Sequence, residues 1–266
     1  MASYTLGSAM LDIARLLGGL RSGTATGGST TTLIDTSRIE EAEYWKGGTI
    51  WIKSGDHDGK VYSIKSFAGN TITIPVTLTS SIVAGVEYFV LPPDYPFDTI
   101  RHAIQSALRD LGDVISTNAT LVTDPDAESY LLPSGVYNIF RVEIATSDTE
   151  PYGYYPNYYW KELNGTLYFL PGKKPGTDGF KIRLWYKAPH AEVFEYSDVI
   201  SDSVDSTWLT WAGVAGVLRN TIAVTGKDKA VNIDLLNQAM VREQELRNRQ
   251  NKKNMIIVAP DPILNP

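Results

Sequence analysis

The chain has 266 residues, of which 43% are hydrophobic and 20% are charged, a balance typical of folded rather than disordered proteins. It contains no cysteine, which excludes disulfide frameworks, thiolate zinc sites and cysteine nucleophiles. The formal net charge of −6 argues against a nucleic-acid-binding surface, because such surfaces neutralise phosphates. It does not exclude a surface that DNA passes without binding, for which weak repulsion would help.

A first helix is predicted over residues 4–19, where apolar side chains recur at spacings of three and four until Gly18 and Gly19 end the pattern. The same stretch contains Asp12 and lacks a basic start, so we do not expect a signal peptide. No apolar run approaches the roughly 20 residues that span a bilayer. We therefore expect a soluble protein that is made in the cytoplasm and has no membrane partner. By composition, residues 21–30 are predicted to form a flexible connector.

From Thr31 to Leu91 the apolar period changes to two. Short runs of β-branched and aromatic residues alternate there with glycine-containing turns, for example at residues 55–59 and 84–85. This pattern predicts a small antiparallel β barrel or sandwich, which needs closure to hide its strand edges.

The clearest helical pattern covers residues 96–116, with Pro96 at a position that suits the first turn. Strand-like runs return over residues 118–188, and Asn164-Gly165 between two of them is a strong hairpin signal. Two further helices are predicted over residues 205–225 and 229–250.

The predicted fold class is α+β, a helical bundle with inserted small antiparallel β barrel or sandwich modules and an extended C-terminal tail. The predicted segments are an N-terminal bundle helix (1–22), a small β module (23–93), a central helix (94–117), a second antiparallel β region (118–200), a C-terminal helix pair (201–250) and a docking tail (251–266).

No catalytic motif is recognisable, and we expect neither an enzyme nor a cofactor or metal site. His57, His102 and His190 lie in unrelated contexts without metal-ligand spacing. Residues 55–59 (GDHDG) invite comparison with a calcium loop, but the twelfth position counted from Asp56 is Phe67, so a turn is favoured. A hydrolase that uses carboxylates with no recognisable motif remains a third, less favoured reading.

The most unusual local composition lies between Tyr152 and Trp160. Aromatic rings of this kind form sugar-stacking platforms, occur in subunit interfaces, or fold back over a core, and the sequence leaves all three open. The candidate interface aromatics are Tyr154, Tyr155, Tyr158, Tyr159 and Trp160.

A basic segment near the C-terminus precedes a proline-rich apolar tail. Either the segment is a solvated helix end, where cations are favourable, or it docks on an acidic neighbour. An apolar segment with no core of its own suits strand addition or groove binding, which strengthens the docking reading, and the sequence leaves both readings open. The basic residues are Arg247, Arg249, Lys252 and Lys253, and the predicted docking residues of the tail are Met255, Ile256, Ile257, Val258, Pro260, Pro262, Ile263 and Leu264.

Residues 23–92 carry several features in a characteristic order. After the Gly/Ser/Thr-rich lead come Thr32-Leu33-Ile34-Asp35, Glu40-Glu41-Ala42-Glu43-Tyr44-Trp45, Gly47-Gly48-Thr49-Ile50, Gly55 and Gly59, Tyr62-Ser63-Ile64, Asn70-Thr71-Ile72-Thr73-Ile74 and Val86-Glu87-Tyr88-Phe89-Val90. In order and pattern this stretch resembles a module of the neck and connector (adaptor) proteins of tailed phages.

The resemblance implies a non-enzymatic virion protein of the phage neck or tail. It implies a homo-oligomeric ring, commonly of twelve copies, that docks beneath the portal protein, contacts a tail or head-closure protein and passes DNA non-specifically through its lumen during genome packaging and ejection. The large β content departs from the many adaptors that are nearly all helical. The alternative is a carbohydrate- or receptor-binding tail or baseplate protein.

Overall fold

The structure, a computed structural model, describes residues 3–225 and 230–253. They divide into two units, each with its own packed elements. The first consists of the described residues up to Asp110 together with Glu192–Arg249, and the second consists of Leu111–Ala191 with the described residues after Arg249.

Four helices occur in the described residues. Thr5 caps the first of them, since its side chain accepts a hydrogen bond from the Ser8 backbone N–H at 3.2 Å. The helices are α1 (Leu6–Leu16), α2 (Phe97–Leu111), α3 (Ser206–Thr225) and α4 (Ala230–Lys253).

The β part of the first unit consists of two four-stranded antiparallel sheets, ordered β1-β8-β4-β5 and β2-β3-β7-β6. A shared cluster of buried residues, among them Leu33, Ile50, Phe67, Ile72 and Val90, draws on both sheets. The strands are β1 (Arg21–Thr24), β2 (Gly27–Gly28), β3 (Thr32–Ile34), β4 (Thr49–Ile52), β5 (Val61–Ser63), β6 (Ser66–Ala68), β7 (Thr71–Thr73) and β8 (Glu87–Leu91).

The second unit also has two antiparallel sheets, ordered β12-β11-β15-β9 and β10-β14-β13. Val142 and Ile144 lie on one face of β11, and with Leu184 they join a core that includes Leu167 and Phe169 of the smaller sheet. The strands are β9 (Asp113–Val122), β10 (Ser129–Leu131), β11 (Ile139–Ala145), β12 (Tyr154–Asn157), β13 (Trp160–Leu163), β14 (Thr166–Phe169) and β15 (Lys181–Pro189).

The predicted helical bundle was wrong: the described residues form these four helices and four small antiparallel sheets, with no bundle. The apolar face of a helix predicts that the helix packs against another part of the protein, but it does not identify that part as a helix or a sheet. Here Trp51 of β4 lies against the start of two helices. Its ring is 5.4 Å from that of Phe97 in α2, and a Cβ atom at Gly7 in α1 would lie 2.8 Å from it.

The predicted flexible connector over residues 21–30 was also wrong, because β1 and β2 lie within it. At Gly23 a Cβ atom would be 2.5 Å from the Tyr88 hydroxyl and 2.6 Å from a carboxylate oxygen of Asp35. This glycine therefore makes room for the Tyr88 and Asp35 side chains against the backbone of β1.

Helix α2 ends at Leu111, before the predicted end at residue 116. Gly112 has a φ of +78°, which ends the helix, and β9 begins at Asp113. Val114 continues the apolar spacing but is buried on a strand. The predicted six-segment division stays a prediction. In the described part of the chain, no helix is long and apolar enough to cross a membrane.

Candidate interaction surfaces

Helices α2, α3 and α4 of the first unit enclose an open groove of about 670 Å³. Its size lies within the range of about 300–1,000 Å³ typical of sites that bury a ligand. Small side chains form its floor, with Ala103 and Ala107 on α2 facing Ala212 and Gly216 on α3. A Cβ atom at Gly216 would be only 3.1 Å from that of Ala103, so the glycine permits the two helices to approach closely.

The rim of this groove carries more cations than anions. Glu243 is shared by Arg219 at 3.8 Å and Arg247 at 3.7 Å, both too long for hydrogen bonds. Arg247 also donates to the backbone carbonyl of Asp110 at 3.0 Å. Arg109 lines the groove, is exposed and has no partner within the described residues. The groove is thus a basic concavity on an acidic protein.

Trp208 lines the same groove and is 1% exposed. Its indole Nε1 is buried without a hydrogen-bond acceptor in the part of the chain that the structure describes. An unsatisfied buried donor costs about 1–3 kcal/mol, and this N–H is buried within the protein, as are those of Trp45 and Trp51.

An acidic loop, residues 39–44, leaves the β part of the first unit between β3 and β4. Ile39 is 94% exposed, and Glu41, Glu43 and Tyr44 are exposed as well. Glu43 pairs with Lys46 at 2.6 Å, whereas the Glu41 carboxylate has no partner among the described residues. This loop therefore presents an unusually exposed aliphatic side chain beside an unneutralised carboxylate.

A buried polar network holds the base of the acidic loop. Arg38 donates to the Tyr88 hydroxyl and to the Ser22 carbonyl at 2.8 Å each, and to Glu40 at 3.2 Å. Tyr88 in turn donates to Asp35 at 2.7 Å. Because Arg38, Tyr88 and Asp35 are bonded to one another or to neighbouring residues, the network fixes the direction in which the loop leaves the sheets.

The charges of this network are stable near neutral pH. Burial opposes ionisation of Asp35, but hydrogen bonds from Ser37 and Tyr88 outweigh it and hold the pKa of Asp35 below its ordinary value. Burial raises the pKa of Tyr88 well above the ordinary value, so its phenol keeps the proton that it donates to Asp35.

The aromatic segment in the second unit does not form one platform. Tyr154 lies on β12 with the Arg183 guanidinium 3.7 Å from its ring centre, and Lys173 lies 4.9 Å from the ring centre of Tyr159. Trp160 packs against the core of the unit. Tyr155 and Tyr158 remain exposed, by 45% and 53%.

Arg183 is itself held by a carboxylate that the sequence did not single out. Glu143 on β11 is 2% exposed, accepts from Arg183 Nε at 2.6 Å and from Trp185 Nε1 at 2.8 Å, and pairs with Arg141. Burial opposes its ionisation, but the hydrogen bonds from Trp185 and Arg183 outweigh it and lower the pKa of Glu143. Only pairing across adjacent strands brings these residues together.

The predicted basic residues are only partly described. Arg247 lines the groove and Arg249 is exposed on α4. The side chains of Lys252 and Lys253 and the predicted docking residues from Met255 to Leu264 lie outside the described residues.

The histidines occupy separate places. His57 is buried in a short helical turn, and its Nε2 lies 3.0 Å from both the carbonyl and the hydroxyl oxygen of Ser80. His102 lines the groove on α2, and Phe67, at the twelfth position of the rejected calcium loop, is buried in β6. No group of three or more His, Asp or Glu side chains within the described residues could hold a metal ion.

No protein-family model matches this sequence, and no curated protein is significantly similar to it. The geometry of the described residues is therefore the main basis for a functional proposal.

Proposed function

We propose that this chain is a structural virion protein of a tailed phage, a ring-forming head-to-tail connector that docks beneath the portal protein and passes DNA through its lumen. The observation that carries the proposal is the open basic groove between α2, α3 and α4. An apolar floor with cations on its rim suits an inserted protein segment, because the floor gives contact area and the arginines give direction.

The resemblance of residues 23–92 to connector modules adds a second line of support. Those residues supply a packed core of their own and a buried network around Arg38. A rigid module with an exposed loop is what an assembly protein needs to meet its neighbours in one orientation, since little conformational entropy is lost on contact.

The charge of the chain fits passage of DNA. A lumen wall with net negative charge repels phosphates weakly and leaves the duplex free to slide. In this proposal the tail from Met255 to Pro266 binds the portal protein, and a tail or head-closure protein covers the opposite side of the ring.

The proposal is tested by mixing the purified chain with the portal protein encoded in the same phage genome. Native mass spectrometry and electron microscopy should then show a ring of the chain bound to the portal. A second preparation truncated after Asn254 should lose portal binding and keep its own folding transition. A full-length chain that stays monomeric and leaves the portal free would contradict the proposal.

A second candidate function, glycan or receptor binding, is favoured by the exposure of Tyr155 and Tyr158. The test is a glycan array probed with the native chain and with Tyr158→Ala. Trp160→Ala is unsuitable because Trp160 packs against the core. Binding that Tyr158→Ala abolishes would favour this second function, and absence of glycan binding would remove it.

A further inference from the structure

We propose that the acidic loop, residues 39–44, of one copy inserts into the groove between α2, α3 and α4 of the next copy. Ile39 would pack on the small-residue floor, and Glu41 would pair with Arg219 and Arg109 on the rim. The inference rests on the proposed function, since it names the contact through which the ring forms.

The loop has the properties of an interface element. Ile39 is 94% exposed although its neighbour Arg38 is buried and bonded on three sides. The loop backbone is tied down beyond it, with Glu43 N–H donating to the Phe67 carbonyl at 2.7 Å and Lys46 N–H to the Glu43 carbonyl at 3.1 Å. Covering an exposed aliphatic side chain with another surface stabilises the complex, and a backbone that is already fixed loses little conformational entropy in the process.

The groove has the complementary properties. Ala103, Ala212 and Gly216 leave room above the floor for a branched side chain. Arg219 is exposed, donates no hydrogen bond within the described residues and has only the distant Glu243 as a charge partner. It is therefore able to form a close, two-pronged contact with a carboxylate.

Charge supports a second copy as the occupant. In the loop the unneutralised group is the Glu41 carboxylate. In the groove Arg109 and Arg219 are exposed without a close charge partner, and with Arg247 they outnumber the two carboxylates of the lining, Asp110 and Glu243.

The contact would be head-to-tail, because the loop and the groove are different surfaces of the same unit. Repetition of such a contact closes into a ring when the rotation between copies divides a full turn, and otherwise runs on as a filament. The loop–groove contact thus explains how identical chains would form a closed assembly without a two-fold axis.

The test is sedimentation velocity of the full chain with reciprocal charge reversals. Glu41→Arg places a cation against a basic groove, and Arg219→Glu places an anion against an acidic loop. Each variant alone should associate at least about tenfold more weakly than the native chain. In an equimolar mixture the cationic loop of Glu41→Arg can pair with the acidic groove of Arg219→Glu, and the acidic loop of Arg219→Glu can pair with the basic groove of Glu41→Arg. Association should therefore return to within about threefold of the native value.

Glu192→Arg is the matched control, since Glu192 is exposed, lies in the same unit and has no partner among the described residues. This control should associate like the native chain. Recovery in the mixture cannot come from unfolded variants, so it separates loss of contact from loss of fold.

The inference is overturned if the native chain does not self-associate, if the charge reversals leave association unchanged, or if the mixture fails to recover. Portal binding is measured on the same variants. If the variants bind the portal and self-associate as strongly as the native chain, the loop–groove contact is overturned and the portal-docking function still stands. Failure of the native chain to bind the portal would instead count against the proposed function.

Discussion

At Gly23 the backbone of β1 passes so close to Tyr88 and Asp35 that any side chain would enter the buried network that orients the acidic loop. Four residues further along the chain, Gly27 of β2 has no heavy atom within 4 Å of its would-be Cβ. These two glycines look alike in sequence, yet only the first is required by its surroundings.

Gly23→Ala should therefore lower the free energy of unfolding by about 1–3 kcal/mol, because the added methyl group must displace Tyr88 or Asp35. Gly27→Ala, the matched control, should change it by no more than about 0.5 kcal/mol. Urea denaturation of both variants measures the difference. Equal effects at the two positions would mean that the close approach at Gly23 does not limit stability.

Glu143 illustrates a residue whose importance lies in what it neutralises. It is buried, whereas the side chains of its partners Arg141 and Arg183 are 50% and 30% exposed. Water therefore weakens part of the interaction, and the contribution of the carboxylate is smaller than that of a fully buried ion pair.

Glu143→Gln should lower the free energy of unfolding by about 1–2 kcal/mol near neutral pH. Because the folded-state pKa of Glu143 is lowered, its contribution is complete above the unfolded-state pKa of about 4.3 and is lost as the pH falls through the folded-state pKa. The stability difference between the native chain and this variant should thus shrink in acid. Glu128→Gln, at an exposed position in the same unit, should show no such trend; a constant difference for Glu143→Gln would contradict the argument.

At the scale of elements, the sequence predicts where helices lie better than it predicts which parts of the protein pack against them. Spacings of three and four located α1 and α2, since an amphipathic pattern is a local property. The bundle did not follow from these helices, because Trp51, a residue of a strand, packs against the first turns of both. Strand β1 was missed because its glycine-containing composition is also that of a linker.

The candidate surfaces were predictable only in part. Arg247 was singled out from the basic run, but most of its neighbours in the groove come from α2 and α3, which are distant from it in sequence. The exposure of Ile39 depends on the network around Arg38, and no local pattern reveals that network. The aromatic segment was recognised by composition, yet cations cover two of its rings, Tyr154 and Tyr159.

Contact between α1 and α3 gives a further prediction at this scale. A Cβ atom at Gly213 in α3 would overlap the end of the Ile13 side chain in α1. Gly213→Ala should therefore destabilise the native chain by about 1 kcal/mol, although alanine favours helices. In an Ile13→Val background, which lacks the overlapping methyl group, the same change should become neutral or stabilising by up to about 1 kcal/mol. A thermal unfolding cycle of the four proteins checks this, and additive effects would contradict it.

For the whole molecule, the candidate surfaces belong to different units. The basic groove and the acidic loop lie in the first unit, and the exposed tyrosines lie in the second. Under the proposed function, the first unit would contact other copies of the chain and the second unit would contact a different neighbour. We expect such a separation of contact surfaces in a connector, which must bind its own copies as well as the proteins above and below it.

Quantitative mass spectrometry of purified virions tests the central claim most directly. If the chain is a connector ring subunit, particles of the phage that encodes it should contain the chain at a fixed copy number that matches that of the portal protein. The ratio should stay constant through gradient purification, because the ring is part of the particle. Absence of the chain from DNA-filled, infectious particles would contradict the account.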